Sequence, residues 1–195
     1  MAEDKIKREC KLLVIGGSSG SIDFLLKLLP TLNVPLSFAI ILVLHRKNSL
    51  ESTLTELFAS KTVIPVKEVE DKDVLEPGNI YIAPADYHLL IENNHEFSLD
   101  SSEKINFSRP SVDVTFESAA EVYGSSLVGV VLSGANADGT NGLKAIKRAG
   151  GLIIAQKPET AQVAYMPEQA ISNNSIDFIF DVNELATFIN SFLNH

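Results

Sequence analysis

The chain has 195 residues, 45% of them hydrophobic and 21% charged, which suits one folded domain with a sizeable core and not a disordered chain. Its formal net charge of −9 repels polyanions and argues against nucleic acid or an anionic membrane surface as partner. The one cysteine, Cys10, excludes an intramolecular disulfide framework and fits a reducing compartment.

The opening "MAEDKIKREC" is charged and lacks the apolar core of a signal peptide. Residues 1–10 read as a polar tail and 11–195 as a single domain. Cys10, at the edge of the first apolar run, reads as a small hydrophobe. The longest unbroken apolar run, Phe38–Leu44, is far short of the ~20 residues that span a bilayer. A soluble, cytoplasmic protein with no membrane insertion is expected.

In chain order, Leu12–Ile15, Phe38–Leu44, Leu127–Leu132 and Leu152–Ala155 are apolar runs of the kind that form strands buried on both faces. Helical patterns alternate with them. They run over Ile22–Leu29, over Leu50–Ala59, from Val112 through Tyr123 after a Pro110-Ser111 start signal, over Thr140–Ala149, and over Glu184–Phe192. Between the second and third of these helices the rhythm changes. Pro77-Gly78 marks a turn. Ile80–Ala83, His88–Glu92, Asn93-Asn94 and His95–Leu99 then read as short strands with a hairpin, which implies a mixed sheet. The acidic cluster Glu68, Glu70, Asp71 and Asp73 reads as a solvated strand end. The expected fold is three-layer α/β/α, doubly wound, with a mostly parallel sheet and an antiparallel hairpin excursion.

In open parallel sheets, ligands bind beyond the carboxyl ends of the strands. Ser18 follows the first strand, His45 ends the second, and Asp138 follows the Leu127–Leu132 strand. Nucleophilic hydrolysis needs these three types. The hydroxyl requires an imidazole to take its proton, and the imidazole requires a carboxylate on its other nitrogen. Gly16-Gly17-Ser18-Ser19-Gly20 also fits the G-x-S-x-G strand–turn–helix elbow. The order Ser, His, Asp differs from the Ser, acid, His order of α/β-hydrolases. Each residue also has a plainer reading. Ser18 or Ser19 would cap the next helix, Asp138 would cap the helix near Gly139, and His45 would simply end a strand. A nucleotide cradle is the weaker alternative, because neither G-x-G-x-x-G nor G-K-[ST] is present.

Several segments, in order, resemble the catalytic domain of the chemotaxis receptor methylesterase (CheB-type) family. They are "VIGGSSGS", "VLH" at Val43–His45, "GNIYIAPADYHLLIE", "RPSVDVTFESAA", "GVVLSGANADGTNGL", Ala155-Gln156 and "YMPEQAI" at Tyr165–Ile171. The resemblance runs from about Leu12 to the final helix. It implies that Ser18 is the nucleophile, His45 the general base and Asp138 the carboxylate that orients it. It also implies that the backbone N–H groups of Ser19 and Ala135 face the oxyanion. Members hydrolyse glutamyl methyl esters on the cytoplasmic helices of methyl-accepting chemotaxis receptors, and some deamidate receptor glutamines. Neither metal nor organic cofactor is implied. Arg109, with Arg46 and Lys47, is the expected cationic rim for an acidic receptor helix. His88 matches a family segment but reads as a packed structural histidine, and His95 and His195 read as surface residues.

The chain departs from the family pattern at several places. Gly17 and Ser21 replace an alanine and a glycine, and Ser21 would be strained by positive φ. Asn136 replaces a glycine, which left-handed backbone would explain. Ala135 replaces a methionine, and Ser108 replaces a histidine. The short N-terminal tail cannot form the receiver domain of many members, so a stand-alone catalytic domain controlled by a separate regulatory partner is expected. Hydrolysis of another small ester or amide, or a catalytically silent receptor-binding module, are the alternatives.

Overall fold

The strand β1 (Leu12–Gly17) is buried along its whole length, so its alternate side chains must find apolar cover on two sides. Leu13 and Ile15 enter one core, Leu12 and Val14 the other. The same alternation in β2 (Ala39–Leu44) sends Ile40, Leu42 and Leu44 one way and Ala39, Ile41 and Val43 the other. The computed structural model describes residues 9–45 and 51–193.

After β1 come α1 (Ser21–Leu28), β2, α2 (Glu51–Ala59), β3 (Val66–Glu68), β4 (Ile80–Ile82), β5 (His88–Ile91) and β6 (Phe97–Asp100). The chain continues with α3 (Val112–Tyr123), β7 (Leu127–Val131), α4 (Thr140–Arg148), β8 (Leu152–Gln156), α5 (Tyr165–Asn173), β9 (Phe178–Phe180) and α6 (Val182–Ser191). The main sheet has seven strands in the order β3-β4-β2-β1-β7-β8-β9, and all pairs are parallel. Residues of α1, α2 and α6 share one core with the sheet, residues of α3, α4 and α5 the other. The three-layer α/β fold expected from the sequence is therefore present.

The hairpin does not join the main sheet. β5 and β6 form a separate antiparallel pair. Ile80–Ile82 belongs to the parallel sheet, where β2 and β3 occupy both of its edges. With no free edge there, the hairpin packs on α3. The Thr115 hydroxyl donates to the Leu89 carbonyl at 2.8 Å, and the Ile91 N–H donates to the Ser118 hydroxyl at 3.1 Å. The acidic cluster behaves as a polar strand end: Lys67 pairs with Asp73 at 2.7 Å, and Asp71 accepts from the Leu99 N–H.

Cys10 is buried, and desolvation pushes its thiol up to about 12, as suits an inert small hydrophobe. Among the described residues, no helix is long and apolar enough to cross a membrane.

The switch point lies between β1 and β7. From β1 the chain builds outward through β2, then returns to β7 on the other side. The crevice beyond these strand ends is where a doubly wound sheet places its ligand. Phe116 of α3 is fully buried where a Cβ on Gly142 of α4 would stand, and it packs these two helices together beneath the sheet's second face. Replacing Phe116 with alanine leaves a cavity there and is expected to lower stability by about 3–5 kcal/mol, measurable as a fall in the urea midpoint.

Candidate active site

Parallel pairing sets the first two groups side by side. Gly17 is in register with Leu44, so Ser18 and His45 are the next residues out on adjacent strands. The His45 N–H donates to the Gly17 carbonyl at 3.0 Å, which extends the ladder to His45 itself. The turn after β1 is tied to β7. The Ser18 N–H donates to the Ser133 carbonyl at 2.9 Å, and the Ser133 hydroxyl donates to the Ser19 carbonyl at 2.6 Å.

The turn closes on Gly20 at φ 83°, a left-handed position that also lies against Gln162 and leaves no room for a Cβ. The positive φ thus falls on Gly20, and Ser21 is unstrained in the first turn of α1. Its hydroxyl donates to the Ser18 carbonyl. Neither Ser18 nor Ser19 supplies a side-chain cap to α1.

The third group comes from the loop after β7. Asp138 Oδ2 lies 2.7 Å from His45 Nε2, with the carboxylate fully buried and the ring mostly so. The plainer reading of Asp138 as a helix cap proves half right. Gly139 caps α4 with no side-chain bond, whereas Asp138 caps α3. It accepts the backbone N–H groups of Val112 at 2.7 Å and Asp113 at 3.0 Å. Helix N-termini favour such an anion. The Ser111 hydroxyl, the Gly139 N–H and the Asn106 amide complete its shell. Burial pushes the Asp138 carboxyl up. The hydrogen bond and charge of His45 and the Asp113 and Val112 N–H groups outweigh that, and hold it below the usual carboxylate range.

His88 supports this shell from behind. It is buried, accepts the Ser111 N–H on Nδ1 at 3.1 Å, and so carries its proton on Nε2, which donates to the Glu103 carbonyl at 2.9 Å. It is a packed histidine, as expected, but one that orients a partner of Asp138. His95 is exposed and meets the Tyr123 hydroxyl at 3.0 Å. Arg46, Lys47 and His195 lie outside the described residues.

Because Nε2 of His45 faces the acid, Nδ1 is the nitrogen available as a base. The Asn136 amide lies 3.4 Å from it and donates to the Ser108 hydroxyl at 3.0 Å. Asn136 does not need the left-handed backbone that its replacement of a glycine led us to expect. It is absent from the positive-φ residues, and its Oδ1 accepts the Asp138 N–H at 3.1 Å instead. Among the described residues, the Ser18 hydroxyl and the N–H groups of Ser19 and Ala135 have no hydrogen-bond partner. Both N–H groups are on exposed residues. Arg109 donates from Nη1 to the Ser101 and Ser102 carbonyls, each at 2.7 Å.

The profile of the CheB methylesterase family matches residues 13–189. The chain belongs to the CheB methylesterase family. A Leptospira interrogans protein is 42% identical over 174 residues, covering 89% of this chain and 90% of that one. The protein-glutamate methylesterase/protein-glutamine glutaminase of Thermotoga maritima is 37% identical over 87% of this chain, which spans about half of that relative's length. The crystal structure of the Thermotoga maritima CheB methylesterase catalytic domain superposes with a TM-score of 0.88 at 35% identity, covering 93% of this chain and 98% of that one.

A second carboxylate of this CheB-family site escaped the sequence reading. Burial pushes Asp113 up to about 6, and the charge of Asp138 adds to this against the opposing Gly142 N–H and Asn106 amide. Its "RPSVD" position was the available signal.

The two carboxyls make opposite contributions to stability. Asp138 has a depressed folded value, so its contribution is complete above ~3.9 and is lost as pH falls. Asp113 has a raised folded value, so its penalty is absent in acid and grows as pH rises from ~3.9 toward about 6. Urea titrations of Asp113→Asn are expected to lack the loss of stability that the parent shows between about pH 4 and 6. At neutral pH, Asp138→Asn turns an amide N–H₂ toward donors and is expected to cost about 3–5 kcal/mol.

Proposed function

We propose that this chain hydrolyses methyl esters of glutamyl side chains on chemoreceptor helices, with Ser18, His45 and Asp138 as its triad. The observation that carries the reading is the 2.7 Å contact between His45 Nε2 and a buried Asp138, at the strand end next to Ser18. The relatives' names supply the acyl group: the Thermotoga maritima protein is a protein-glutamate methylesterase/protein-glutamine glutaminase.

In the proposed cycle, Ser18 Oγ attacks the ester carbonyl while His45 Nδ1 takes its proton. Asp138 stays ionised, fixes the ring through Nε2–H, and stabilises the imidazolium. The Ser19 and Ala135 N–H groups are the expected donors to the oxyanion. The tetrahedral adduct collapses, the C–O bond to methoxide breaks, and Nδ1–H protonates the leaving group as methanol. Water then attacks the glutamyl-Ser18 ester by the same route and releases the free carboxylate. A glutamine amide follows the same path, with ammonia leaving.

The Ser18–His45 hydrogen bond belongs to the substrate complex, since such contacts are often loose in free enzymes. Arg109 contributes by fixing the 101–109 segment to its own backbone, and that segment borders Asp138 through Asn106.

Purified Ser18→Ala protein is expected to release methanol from methylated receptor at least ~10³-fold more slowly than the parent. Release at the parent rate would refute the assignment of Ser18. The same assay against a panel of small esters separates a receptor esterase from a general one.

A further inference from the structure

Phe107 is the most exposed large hydrophobic residue described, at 96%. It sits in a two-residue turn closed by reciprocal backbone bonds between Ile105 and Ser108, at 3.1 and 2.9 Å. Both central residues are left-handed, Asn106 at φ 51° and Phe107 at φ 62°. Asparagine suits the first position of such a turn, and glycine suits the second. A bulky residue there is a true outlier, and held strain of this kind gathers at functional sites. The phenyl ring is therefore unfavourable twice over, in its backbone and in its contact with water. Glycine would remove both penalties.

The turn is rigidly joined to the site. The Asn106 amide donates to Asp113 at 2.9 Å and to Asp138 at 3.2 Å, and Ser108 accepts from Asn136 at 3.0 Å. A second exposed aromatic, Tyr165, adjoins the same loop after β7, because the Met166 N–H donates to the Gly134 carbonyl at 3.0 Å. Ile105 is half-exposed beside Phe107.

We propose that Phe107 is the docking anchor for the helix that carries the glutamyl methyl ester, with Ile105 and Tyr165 extending the contact. This rests on the esterase reading above. The chain's net charge of −9 offers an acidic helix no overall attraction. Methylation removes the charge from the target side chain, so the modified segment is locally neutral where it enters. An aromatic displayed on a rigid turn can bind it at little entropic cost.

The test uses the full chain with Phe107→Gly and Phe107→Leu. Substrates are a methylated cytoplasmic fragment of a chemoreceptor and p-nitrophenyl acetate. For Phe107→Gly, the ratio of receptor to small-ester kcat/KM is expected to fall about thirtyfold, the smallest loss that marks a hot-spot contact, while the Tm rises. Phe107→Leu is expected to recover part of the ratio. An unchanged ratio in Phe107→Gly overturns this inference alone, and so does a fall in Tm, which would make the ring a packing element. No methanol released from the fragment by the parent overturns the esterase reading and this inference together.

Discussion

An anion removed from water must be met by donors, or it destabilises the fold by more than a domain's whole margin. Asp138 is such an anion, and its donors come from segments far apart in the chain. His45 arrives from β2, Asn106 from the turn ahead of α3, Ser111, Val112 and Asp113 from the start of that helix, and Gly139 from its own loop. One carboxylate thus fixes the entry of α3, the end of β2 and the loop after β7 relative to one another. The His45 ring gains its orientation from an arrangement that the fold already requires.

The parts of this arrangement were unequally visible in the sequence. β1, β2, β7 and β8 are buried on both faces, so they appear as unbroken apolar runs. β3 and β9 are short and half-buried at the sheet margins, and they leave no such run. α5 opens Tyr165-Met166-Pro167, a first turn that tolerates proline but obscures the helical period. The hairpin was legible from its turn residues. Its separation from the main sheet was not, because strand patterns do not say which edges are already occupied.

Ser18, His45 and Asp138 could be picked out because a doubly wound sheet gathers its strand ends. The structure joins His45 to Asp138 and sets Ser18 one residue beyond the Gly17–Leu44 pair. The supporting residues could not be read that way. His88 acts through Ser111, 23 residues along the chain, and Asp113 shares Asn106 with Asp138, which lies 32 residues from that asparagine. Two positions that the resemblance marks as departures are also in contact. Asn136 donates to the Ser108 hydroxyl, so these positions lie together in the fold.

His45 turns its outer ring nitrogen, Nε2, to Asp138, which leaves the inner one, on the carbon skeleton's near side, for the proton transfer in the proposed cycle. That gives the base a short reach. A serine served by it has to stand almost beside the histidine's own main chain, and neighbouring strand ends in register supply that closeness. In the proposed cycle, the spacing between two adjacent β-strands would therefore set the proton-transfer distance, with no long flexible arm to absorb an error.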